Sequence, residues 1–159
     1  MDPHLTASLA VLEELYDGLL TLLRASDDDA LNWTPPIPET NSAAALVHHI
    51  AGSLNNWLAR ALDEPVVRDR AAEFRGRGSA AELIALAEAS RSRTRAQFAR
   101  LDGVDRGLVR RVHRSLPEPH TMTATVGWCI EHALIHAGEH WGQIQLTLQH
   151  YRHGRPTPA

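Results

Sequence analysis

Glu131-His-Ala-Leu-Ile-His136-Ala-Gly-Glu-His140-Trp-Gly-Gln143 lies inside a stretch that reads as one long helix, from about Thr123 to His150. Residues four apart on a helix share a face, roughly 6 Å apart along the axis. His132, His136 and His140 therefore form a stripe, and the last two can aim their imidazoles at one ion. Two ligands on one rigid helix are pre-oriented, and a third from another element closes a site with open positions. The chain has ten histidines, so one H-x-x-x-H pair arises by chance at about the 0.6 level, the triple at about 0.04. The pair alone is weak ground and the triple is better. A stripe of packed histidines with satisfied hydrogen bonds is the competing reading.

Three more helical segments precede this one. Leu5, Leu9, Leu12, Leu15 or Tyr16, Leu19 and Leu23 recur at three- and four-residue steps with Glu13, Glu14 and Asp17 between them, which predicts a helix ending near Asp27-Asp28-Asp29. Residues 32 to 41 hold Pro35, Pro36 and Pro38 and read as a loop. Asn41 or Ser42 can cap a second helix running through His49 and Trp57 to about Leu62. Residues 65 to 78 read as irregular. Ser79 with Glu82 forms a capping box, opening a third helix to about Leu101. Residues 102 to 121 read as a long connection with a short extended piece at Leu108 to Val112. The expectation is an all-α chain: an antiparallel four-helix bundle with long polar connections, one domain over residues 1–150 and a mobile tail over 151–159.

Composition narrows the function. The chain has 159 residues, enough for one core, and a net charge of −3. All sixteen basic residues are arginine, which excludes Schiff-base catalysis and a P-loop lysine. They are spread along the sequence, with no concentrated basic face for nucleic acid. The densest run, Arg91, Arg93 and Arg95, reads as a solvated helix face. No stretch reaches the roughly 20 apolar residues of a membrane span. Met1 to His4 hold no basic leader, and Glu13, Glu14 and Asp17 interrupt the apolar run that follows. The expected location is the cytoplasm, and the single cysteine, Cys129, agrees with a reducing compartment.

His48 and His49 lie on the second helix. His49 is followed by Trp57 eight positions on, nearly on the same face, and so looks into the bundle, as a packed histidine or as the third ligand. His136-Ala-Gly-Glu139-His140 also matches the inverted zinc-protease signature. That signature needs an acidic ligand well downstream, and no Asp or Glu follows His140. Glu139 is rotated around the helix away from both histidines and is expected to face solvent. Gln143, three residues after His140, is placed to support it. Cys129 shares the face of His136 but lies two turns away, as a core thiol.

Two stretches carry a family resemblance. Ser42-Ala-Ala-Ala-Leu-Val-His48-His49-Ile-Ala-Gly52, with Trp57 following, resembles the first-ligand helix of the DinB-like superfamily of metal-binding four-helix proteins. His136-x-x-x-His140-Trp141-Gly142-Gln143 is similar to that family's closing histidine pair. Trp141 departs from the pattern, standing where a basic residue is frequent. The resemblance implies His49, His136 and His140 as ligands of a divalent transition metal, zinc or nickel. His49 rather than His48 aligns, directly before the Ile-Ala-Gly step. It further implies frequent homodimers, and characterised members that use a low-molecular-weight thiol, such as mycothiol or bacillithiol, in isomerisation or S-transfer. His132 is an extra histidine, open between a packed residue, a support for His136 and a proton carrier.

Three neutral imidazoles leave a divalent ion its full charge, which lowers the pKa of water or of a thiol. Three functions stand open on this reading. One is a metal- and thiol-dependent S-transferase or isomerase acting on a small molecule. The others are a metal-dependent hydrolase and a metal-binding or structural protein without turnover.

Overall fold

Asp2 starts the chain's first helix by accepting the His4 amide on its side chain, with Pro3 at the first helical position, where its missing N–H costs nothing. The structure, a computed structural model, describes residues 2–114 and 120–154. Its elements are α1 (Pro3–Arg24), α2 (Asp28–Asn32), α3 (Ala43–Ala61), α4 (Arg70–Glu73), α5 (Ala80–Leu101), β1 (Val109–Arg114), β2 (His120–Thr125) and α6 (Val126–Gly154). Ser42 caps α3 through the Ala45 amide, and Ser79 and Glu82 form the reciprocal box at the head of α5.

The all-α architecture is a bundle of α1, α3, α5 and α6, and side-chain contacts fix the helix directions. Arg24 meets Glu88 and the Asp2 amide meets Asp102, so α1 and α5 run antiparallel. His49 meets His140 while Trp57 meets Trp128, so α3 and α6 are antiparallel as well. His48 faces Arg77 just before α5, Asn55 meets Gln97 and Glu64 meets Arg100, so α3 and α5 run the same way. Parallel neighbours force the chain to return along α3. Its 19 residues span about 28 Å. Residues 62–79 make that return, and this is what carries a non-bundle segment across the His49 face of α3.

The core follows the apolar stripes: Leu12, Tyr16, Leu19 and Leu23 of α1, Leu46, Ile50, Leu54 and Leu58 of α3, Leu83 and Phe98 of α5, and Ile130, Ile144 and Leu148 of α6 are all buried. Four sequence expectations shift. The first helix ends at Arg24, and Asp27 caps a separate short helix, α2, so that Asn32 is helical. Residues 65 to 78 are not wholly irregular, because Asp69 caps the four-residue α4. The long connection folds into a hairpin. Val109 pairs with Thr125 and Arg114 with His120, so residues 123–125, expected to open the last helix, are strand. Alternating Thr121, Thr123 and Thr125 suit that strand. The last helix continues to Gly154 with Tyr151 buried, so the segment expected as tail is helical through 154, and residues 155–159 lie outside the described ones.

The arginine run is only in part a solvated face. Arg91 and Arg95 both clasp Glu13 of α1, and Arg91 also reaches Asp17. No helix among the described residues is long and apolar enough to cross a membrane.

Candidate metal centre

Ser42 sets the phase of α3, and with that phase Leu46, Ile50, Leu54 and Trp57 turn inward along with His49. His49 is wholly inaccessible to solvent, and His48, one residue earlier, is half-buried. On α6, Ala133, Ala137 and Ile144 face the core. His136 and His140 lie beside that stripe, half-buried, at the seam between α6 and α3.

The three imidazoles meet. Ring centroids are 5.0 Å apart for His49 and His136, 4.7 Å for His49 and His140, and 4.5 Å for His136 and His140. One ligand atom from each lies within 4.8 Å of the others, and His49 Nε2 is 3.3 Å from His136 Nε2. The opposite ring nitrogens of two of them are engaged. His49 Nδ1 lies 2.8 Å from Glu73 Oε2, and His140 Nδ1 lies 2.7 Å from Gln143 Oε1. Arg68 grips both oxygens of Glu73, at 2.7 Å each. Burial pushes the Glu73 carboxyl up, but hydrogen bonds from His49 and Arg68, together with the Arg68 charge, outweigh it and hold the group below its ordinary value. An ionised carboxylate only accepts, so His49 Nδ1 carries the proton and its Nε2 lone pair faces the other histidines. The 3.3 Å approach of Arg68 Nη2 to Nδ1 then sets two donors side by side.

The electrostatics favour the neutral form of His49 and His136. Burial lowers His49 against the upward pull of its hydrogen bond to Glu73. His136 is pushed down to about 3 by burial first, then by the proximity of His140 and His49. A metal ligand needs the neutral form. Phe74 stacks on His49 at 4.2 Å, and Arg70 lies 4.6 Å over Phe74, so a layered lid from the 62–79 segment covers the buried ring.

His49, His136 and His140 come together and His48 does not; its Nε2 donates towards the Arg77 carbonyl at 3.3 Å. Gln143 touches His140, and Glu139 is exposed. His132 stacks on Trp128 at 4.7 Å and meets Trp57 edge-on at 4.4 Å, a packed histidine next in line to His136. Cys129 is wholly buried, and burial pushes its thiol pKa up. Trp141 turns the other way: a Cβ on Gly18 of α1 would lie 3.1 Å from its ring.

Arg68, Glu73 and Phe74 were missed by sequence reasoning. Their one signal was Gly52. An interior helical glycine costs about 1 kcal/mol against alanine, which asks for a close approach. A Cβ there would fall 1.9 Å from Glu73 Oε1.

A family model described as the DinB superfamily matches residues 11–144. The chain belongs to the DinB superfamily. The matched span takes in α3, the 62–79 return and α6 through Gln143, and thus every residue of the histidine cluster and its supports. Among solved structures, this DinB-superfamily chain is similar to a conserved protein from Enterococcus faecalis, with 16% identity and a TM-score of 0.70 over 91% of this chain and 94% of that one. That likeness speaks for the fold alone. No curated protein matches.

Proposed function

We propose that this DinB-superfamily protein binds one divalent transition metal, zinc or nickel, through His49, His136 and His140, and uses it with a small-molecule thiol in S-transfer or isomerisation. The observation that carries the metal is the convergence of three imidazoles, two of which have supports that leave their lone pairs facing inward. Two nitrogens held at 2.0–2.1 Å on a tetrahedral ion sit about 3.3 Å apart. The His49 and His136 Nε2 atoms are separated by 3.3 Å. All three donors are neutral, so a bound ion supplies undiminished Lewis acidity, enough to lower the pKa of a thiol or of water.

The chain's own residues favour an external sulfur. Cys129 is buried and its thiol pKa is raised, so it offers no thiolate. There is no lysine to act in its place. His136 and His140 are half-buried, which leaves the α6 side of the cluster reachable while Phe74 closes the other. Glu73 and Gln143 hold two of the three rings, so a small molecule arriving there meets a pre-set surface.

A cobalt-substituted sample titrated with mycothiol or bacillithiol tests this. The expected result is a sulfur-to-metal charge-transfer band in the near ultraviolet that is lost in His140→Ala and kept in Cys129→Ser. A flat spectrum at millimolar thiol would remove the thiol and leave hydrolysis or metal storage. Turnover of an electrophilic substrate, lost with the metal, completes the test.

A further inference from the structure

The 62–79 segment enters the bundle's histidine cluster at one point, and a glycine admits it. Glu73 reaches His49 over Gly52, which lies on α3 three residues beyond His49. An alanine methyl at that position would overlap the carboxylate, at 1.9 Å from Oε1 and 2.6 Å from Cδ. One end of the same segment is seated in the same way. A Cβ on Gly76 would lie 2.3 Å from the His48 ring, and His48 Nε2 meets the Arg77 carbonyl at 3.3 Å. Between these seats Arg68 clamps Glu73, and Phe74 covers His49.

Resting on the metal reading above, we propose that Glu73 is a positioning residue for the metal, held by Arg68 and admitted by Gly52. The return segment is then a working part of the centre. Its carboxylate fixes the tautomer and ring plane of His49, the one ligand contributed by α3. Gly52 acts on the metal only through Glu73. A carboxylate behind a ligating histidine sets affinity by about 10- to 100-fold.

The test uses the full-length, untagged protein and measures cobalt(II) affinity by competition with a chelator, alongside the cobalt visible spectrum and the melting temperature of the apo form. Glu73→Ala is expected to weaken cobalt binding about 10- to 100-fold. Glu73→Gln, which keeps an acceptor for Nδ1–H, is expected to recover part of that loss. Gly52→Ala is expected to weaken binding by a similar factor and to alter the spectrum. Gly52→Ala in the Glu73→Ala background is expected to cost nothing further, because the atom it displaces is gone. Melting temperatures separate these effects from misfolding, and a Gly52→Ala protein that fails to fold hands the decision to the Glu73 pair. Wild-type affinity in Glu73→Ala would overturn the inference while leaving the metal centre standing. Additive losses in the double variant would overturn the role of Gly52. Absence of cobalt binding in the wild type would overturn both the inference and the metal reading.

Discussion

The α1–α5 and α3–α6 interfaces treat polar groups in opposite ways. Between α1 and α5 the polar groups that meet satisfy one another: Tyr16 Oη meets Ser90 Oγ at 2.8 Å and Thr94 Oγ1 at 3.1 Å, and Glu13 is shared by Arg91 and Arg95. Between α3 and α6 three imidazoles converge, two of them with their outer nitrogens held by Glu73 and Gln143, and one ligand atom of each lies within 4.8 Å of the others. Polar groups brought together and satisfied make an interface. Polar groups brought together with matching lone pairs turned inward make a site, because the cost of their burial is offset only when something sits between them.

That contrast is broken most directly by removing ligands. His49→Ala, His136→Ala or His140→Ala is expected to lower metal affinity by more than about 100-fold, since each leaves a two-ligand site. Tyr16→Phe, equally buried, is expected to leave metal binding unchanged and to cost about 1 kcal/mol of stability, the net worth of its hydrogen bonds. His48→Ala sharpens the same point one residue from His49. Its ring seats the return segment and offers the cluster no ligand atom, so a loss far smaller than that of His49→Ala is expected. Chelator competition on the four histidine variants, with urea melts on Tyr16→Phe, checks all five.

Acid should separate the interfaces next. The folded pKa of His136 lies at about 3, against an ordinary 6.5. Between those values the unfolded chain takes up a proton that the folded chain refuses, so apo stability falls as pH drops from about 6.5 towards 3. Urea melts in chelator at pH 7 and pH 5 are expected to show the loss, and His136→Gln is expected to flatten it. Glu13 loses stability in the same direction, beginning at a lower pH. Its hydrogen bond to Arg95 lowers its pKa, so its contribution is present above the ordinary carboxylate range and is lost as pH falls through its folded value. Glu13→Gln at pH 7 is expected to cost a few tenths of a kcal/mol, the smallest of these effects, because the group lies in a partly exposed ion-pair network.

Much of this was legible in the sequence where the cause is local. Helical spacing placed His136 and His140 together, Ser42 and the Ser79–Glu82 box fixed two helix starts, and the step from His49 to Trp57 turned His49 inward. The same reasoning read Cys129 as buried and Gln143 as the support of His140. What stayed hidden depends on long-range geometry. The parallel run of α3 and α5 sends residues 62–79 back across His49, and no periodicity within that segment announces it. Glu73 looked like any acidic residue in a polar connection until α3 was set beside it. The hairpin was read short because its second strand merges without a break into α6, with the Val126 amide bonded back to the Leu108 carbonyl.

X-ray absorption on untagged, zinc-loaded protein tests the central claim most directly. One ion per chain is expected, with three imidazole nitrogens at about 2.0–2.1 Å and no sulfur in its shell until a thiol is added. A sulfur ligand from Cys129, or the same spectrum and the same zinc content in His140→Ala, would contradict it.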